Sequence, residues 1–181
     1  MSPHFLRANL CFLHGTMRAS EGLLQAAIRK GEVDELGLYF AQHLAQETGH
    51  LQMLEQDLER LGVKEILQFP EAAQFAGAQY YYIEHEHPAL LLGYMAALEC
   101  HPSTLEQVDQ LEAEHGPLIC TRHHATHDPE HAAQLREQIA KLPDDLRSRV
   151  DDNEKFTMRD FNQRILPMIY QASKYFEALS L

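Results

Sequence analysis

Histidines and carboxylates recur in this 181-residue chain at the spacing of metal ligands. His43, Glu47 and His50 stand at i, i+4 and i+7, so a helix projects all three from one face within two turns. His124, Asp128 and His131 repeat that spacing. A His-x-x-x-Asp-x-x-His pattern arises by chance only about 0.04 times from this composition, which makes the second triad the more specific signal. Glu99 is the only ionisable side chain between Pro88 and Cys100, at the end of an almost wholly apolar segment. A buried carboxylate there needs a partner or a cation. Two imidazoles with a carboxylate between them can take one iron-sized cation, or divide between two cations that the carboxylate bridges. Glu47, Glu99 and Asp128 supply three negative charges, and His50, His124 and His131 three neutral donors. This oxygen and nitrogen set suits two irons, or manganese, or a single metal, and admits zinc; without cysteine it argues against a structural zinc site.

Each motif has a plainer reading beside it. Glu47-x-x-His50 is weak alone, since Glu84/His87 and Glu112/His115 match it too; those two fall at expected helix ends, where solvent satisfies them. Asp128-Pro129-Glu130 also reads as an N-cap, a first-turn proline and an acidic first turn. A helix starting there breaks the face that joins His124 to Asp128, unless Pro129 only kinks a continuous helix. Glu99 sits where it could reach water, and His43 is an ambiguous fourth imidazole. The remaining eight histidines, His4, His14, His85, His87, His101, His115, His123 and His127, need no more than a helical surface.

Helices must position these groups. Glycine and proline punctuate three-to-four-residue apolar periods, and no alternating β-branched run reads as a strand. The spacing predicts helices over 3–14 and 20–30, the second closed by Gly31, then one long helix from about Val33 to Leu61 that Gly62 stops in a left-handed conformation. Pro70 and Pro88 open helices over about 70–83 and 88–100. A capping box at Ser103-x-x-Glu106 begins one over 104–115, and another covers about 118–141. Arg147 to Leu181 holds one or two more, kinked at Pro167. The expected fold is all-α: one domain over residues 1–181 with about seven helices.

Composition narrows the partners. Lys and Arg total 15 against 27 Asp and Glu, a formal charge of −12, so phosphate backbones and anionic membrane surfaces are disfavoured. The longest apolar stretch, Ala89 to Leu98, is too short to span a bilayer, and the N-terminal segment lacks the apolar core of a signal peptide. Cys11, Cys100 and Cys120 form neither a disulfide framework nor a Cys-x-x-Cys pair, which fits a reducing cytoplasm. A small-molecule site is the expectation, and a homodimer is compatible with it.

Three segments carry a resemblance. AQETGHLQMLEQDLERLG, HPALLLGYMAALE and HATHDPEHAAQL are similar to the three ligand helices of the heme-oxygenase-like diiron oxidases and oxygenases, the iron-containing redox enzymes whose fold is shared with thiaminase-II-like proteins. The resemblance runs from about residue 20 to 140. It implies that Glu47, His50, Glu99, His124, Asp128 and His131 hold two irons that activate O₂, oxidising an amino-acid-like or fatty-acid-like molecule or a side chain of the protein itself. Several family members carry a carboxylate seven residues before the first-helix histidine, where this chain has His43. Glu84 and Glu86 are rivals of Glu99. Within the same fold the alternatives are a metal-free thiaminase-like enzyme or binding module, with Cys100 as its candidate nucleophile, and a heme oxygenase with His14 as axial ligand.

Overall fold

The computed structural model of the chain describes residues 1–31 and 34–179. Among them there is no strand, and nine α-helical segments form the bundle: α1 (Pro3–Lys30), α2 (Glu35–Glu47), α3 (His50–Arg60), α4 (Pro70–His85), α5 (Leu91–Glu99), α6 (Leu105–His115), α7 (Ile119–Lys141), α8 (Asp144–Asp160) and α9 (Leu166–Leu179). A 3₁₀ turn, Pro88–Leu90, leads into α5, and a π turn, Phe161–Ile165, joins α8 to α9. Since α2 and α3 are one interrupted rod and α8 and α9 another, seven rods surround a contiguous apolar core.

The first two predicted helices are one. Gly15 does not end α1; a Cβ there would lie 2.7 Å from Ala72 Cβ, so glycine lets α1 and α4 approach closely. Thr16 and Ser20 turn their hydroxyls back onto the carbonyls of Leu13 and Thr16, which keeps polar side chains inside the helix. Gly31 ends α1 in an extended conformation rather than a left-handed one.

The predicted long helix is broken in two. Its expected start at Val33 lies outside the described residues. Thr48 leaves α2 in an extended conformation, its hydroxyl donating to Leu44 O at 2.9 Å, and Gly49 takes φ +99°. Only glycine adopts that angle without strain. Leu54 and Leu58 are buried on α3 as Tyr39 and Phe40 are on α2, so the apolar period runs across the break and conceals it. Gly62 (φ +78°) ends α3 as its sequence position implies.

Two further boundaries differ from expectation. The capping box of α6 is built by Thr104 and Gln107, one residue beyond the predicted Ser103 and Glu106. The last rod deviates at the π turn, where the Leu166 amide reaches back to Phe161 O. Pro167 lies just inside α9; a proline lacks the amide and crowds the carbonyl four residues earlier, and the wider turn ahead of it accommodates both.

The helix α7 runs through Pro129 without a break. Pro129 is exposed and so lies on the outer face, where a long helix bows and its hydrogen bonds lengthen. His124, Asp128 and His131 therefore share one continuous helix. Gly93 brings α5 against α8, since a Cβ would lie 2.9 Å from the Glu154 amide nitrogen and collide with the Val150 carbonyl. Asn153 then braces the start of α5, donating to Leu90 O at 2.7 Å and to Gln79 at 2.8 Å.

Candidate metal centre

Four helices bring all seven candidate residues to one place. The last turn of α2 presents His43 and Glu47, the first residue of α3 is His50, the last of α5 is Glu99, and α7 contributes His124, Asp128 and His131. The break at Thr48 and Gly49 leaves Glu47 and His50 in contact, with His50 Nδ1 3.2 Å from Glu47 Oε2.

The cluster has two halves. In one, His43 Nε2 lies 3.1 Å from Glu99 Oε1, and His43, Glu99 and His131 each offer a ligand atom within 4.8 Å of the others. In the other, His50 and His124 meet edge to face with ring centroids 4.8 Å apart. Two carboxylates stand between the halves. Glu47 turns Oε1 toward His43 at 3.8 Å and Oε2 toward His50. Asp128 Oδ1 is 2.9 Å from His124 Nδ1 and 4.0 Å from His131 Nδ1. Each carboxylate is thus positioned to bridge.

Burial sets the electrostatics. The side chains of Glu47, Glu99 and Asp128 are only 12%, 14% and 8% exposed. Burial opposes the charge on Glu47, yet His50, His43 and His124 outweigh it and hold the carboxyl below its ordinary range. Burial likewise disfavours imidazolium at His43, but the hydrogen bond it donates to Glu99 and the charges of Glu99, Glu47 and Asp128 raise its affinity for a proton. At His124 burial is again overcome, chiefly by Asp128, and the ring is pushed up to about 10. His131, more weakly compensated, is lowered by burial.

Three buried atoms of the cluster lack a hydrogen-bond partner among the described residues: Glu99 Oε2, His124 Nε2 and His131 Nδ1. A buried polar atom left unpaired costs about 1–3 kcal/mol. Glu99 Oε2 and His131 Nδ1 belong to the half in which His43, Glu99 and His131 offer ligand atoms within 4.8 Å of one another, and His124 Nε2 to the other half, where a bound cation would displace the ring's proton; the oxygen and nitrogen atoms present in both halves fit metal ions.

A cavity of about 270 Å³ opens onto the cluster, walled by α1, α3 and α5 side chains that include Leu13, Met17, Leu24, Leu54 and Met95. Glu47, Glu99, His124 and Asp128 form its polar end. One lining group was not singled out by sequence. The Cys120 thiol lies in the wall beside His124 and donates to His50 O at 3.8 Å. Cys100, the expected nucleophile, does not line the cavity. Tyr94 does, and its hydroxyl is buried without a partner, whereas Tyr80 and Tyr81 are exposed.

Asp57 was also missed. Fully buried, it accepts the Ile119 and Cys120 amides at 2.8 Å each, capping α7 and fixing it to α3. Its place on the His50, Leu54, Asp57 face was the available signal. The other Glu-x-x-His pairs are structural: Glu84 pairs with Lys30, His87 Nδ1 accepts the Ala89 amide, and Glu112 holds Arg122. Glu86 pairs with Arg149 at the surface. His14 is buried rather than superficial, with Nε2 3.0 Å from Glu55, and it does not line the cavity.

No family model and no curated protein matches the chain. No helix among the described residues is long and apolar enough to cross a membrane. The structure is similar to a solved domain of unknown function with a heme oxygenase-like fold from Shewanella denitrificans OS217, with a TM-score of 0.80 and 14% identity over 98% of this chain and 82% of that one. The chain has the heme oxygenase-like fold.

Proposed function

We propose that the protein is a non-heme diiron oxidase or oxygenase acting on a small organic molecule. One observation carries this reading: Glu47 and Asp128 each lie between two imidazoles, and Glu99 closes one half. One ion would be held by His43, His131 and Glu99 and the other by His50 and His124, with Glu47 and Asp128 placed to serve both. Such a shell would hold a ferrous pair whose chemistry, when bound, is to pass electrons to O₂, so that the activated oxygen takes electrons from the bound molecule.

The protein's own groups do the rest. The apolar wall excludes water and holds the substrate's carbon skeleton against the polar end of the cavity. At about 270 Å³ the space lies just below the range of about 300–1,000 Å³ usual for small-molecule pockets, so it takes a compact substrate. Among the described residues no lysine or arginine lines it, so only the imidazoles and a bound metal could offset an anionic substrate. Asp57 and the Arg122–Glu112 pair fix the start of α7, and with it His124 and Asp128.

Anaerobic titration with Fe(II), followed by metal analysis, tests the reading: about two irons per chain are expected, with O₂ uptake on exposure to air. His124→Ala should lose iron. A wild-type chain that takes none overturns it. The metal-free thiaminase-like reading has one foothold, the Cys120 thiol beside His124. That reading requires activity in the presence of a chelator and its loss on Cys120→Ser.

A further inference from the structure

The cluster does not stop at the buried ligands. His127, exposed on α7, has its ring centroid 4.4 Å from that of His123, one turn earlier and half-buried. His123 in turn lies 4.6 Å from His50, and His50 4.8 Å from His124. Four imidazoles form an unbroken row from solvent to the buried centre. His123 and His127 have no hydrogen bond and no ion pair among the described residues, whereas His50 and His124 are tied to Glu47 and Asp128. The outer pair is therefore free to bind something else.

We propose that His123 and His127 form a separate divalent-cation site, of the kind that binds Fe²⁺, Co²⁺ or Zn²⁺, and that it is the port through which metal reaches the buried centre. Histidines at i and i+4 on one helical face are a chelating arrangement in their own right. Neutral imidazole is a ligand for all three ions. The direction follows from solvation. A hydrated dication loses its water at great cost in apolar surroundings, and the surface of the cavity that also reaches the cluster is mostly apolar. Imidazoles spaced at ring-contact distance replace that water stepwise. His43, His50, Asp128 and His131 are each under a tenth exposed, so an ion needs such a path.

The port role rests on the diiron reading; the pair site does not. The test uses the full chain with Co²⁺ as the probe, counting bound equivalents by equilibrium dialysis and following uptake by visible absorption. His127→Gln alters an exposed side chain that touches none of the buried ligands. The variant should bind one equivalent fewer than wild type under weak-site conditions. Its outer-site affinity should fall by at least the roughly 10–100-fold lost when a supporting group is removed at other metal sites. It should reach the same buried occupancy more slowly. Equal stoichiometry and equal uptake rate in the two proteins overturn the inference. If wild type instead binds a single equivalent that His127→Gln abolishes, the pair stands as an isolated site, and the port role falls with the diiron reading.

Discussion

Replacing Asp128 with asparagine keeps the shape of the side chain and removes the charge that both halves of the centre share. Asp128 Oδ1 is 2.9 Å from His124 and 4.0 Å from His131, so both proposed cation positions would lose the same carboxylate. A cation present at about 100 times its dissociation constant stabilises the wild type by about 2.7 kcal/mol. For a domain of this size, about 2–4 °C per kcal/mol converts that to a rise in Tm of about 5–11 °C. A loss of affinity of about 100-fold brings the same cation concentration down to the dissociation constant of the variant, where the gain is about 0.4 kcal/mol. That is a rise of about 1 °C. Differential scanning calorimetry of both proteins, each with and without Fe(II) under anaerobic conditions, measures the two shifts. Each protein is its own reference, so any effect of Asp128→Asn on the metal-free fold cancels. An asparagine variant whose Tm rises as much as the wild type's refutes the bridging role of Asp128.

Two predictions concern residues around the centre. Tyr94→Phe deletes a hydroxyl that is buried without a partner, so the ligand-free protein should gain up to about 1–3 kcal/mol, read as a higher urea midpoint at unchanged slope; a lower midpoint means the hydroxyl is satisfied. Glu112 is held below its ordinary carboxyl range by Arg122 and the Leu118 amide, so its stabilisation is full above that range and is lost as pH falls through its lowered value. Glu112→Gln should therefore lower stability at neutral pH and differ less from wild type in acid, and a pH-independent difference in urea unfolding contradicts this.

Local chemistry made most of the fold legible. Pro70 and Pro88 mark first turns, Gly62 marks a stop, and the apolar periods mark buried faces. Two glycines mark where it was not legible. Gly15, read as a gap between helices, serves a close approach to Ala72, which only the partner helix reveals. Gly49, inside a sustained period, is the real break because its backbone is left-handed. The ligand spacing was legible because i, i+4, i+7 is a property of one helix. The pairing of His43 with Glu99 was not, since it depends on how α2 and α5 pack. Asp57 and Cys120 escaped notice for the same reason: their importance comes from the contact between α3 and α7.

Without a cation, the cluster is a poor core. Three carboxylates are nearly buried, and three buried polar atoms have no hydrogen-bond partner among the described residues. The surrounding scaffold holds the geometry nonetheless. Asp57 spends a fully buried carboxylate on the amides that begin α7, Arg122 ties that same end to Glu112 on α6, Gly93 admits α8 against α5, and Asn153 fixes the turn from which α5 starts. None of these residues lines the cavity, and each sets a helix that carries a candidate ligand. Rigid support of this kind is what keeps converging donors within the tolerance of metal coordination. A hydrogen-bonded core would gain nothing from leaving its imidazoles half satisfied. An arrangement that leaves donors open while bracing the helices behind them is the one expected of a site that takes its last ligand from outside the chain.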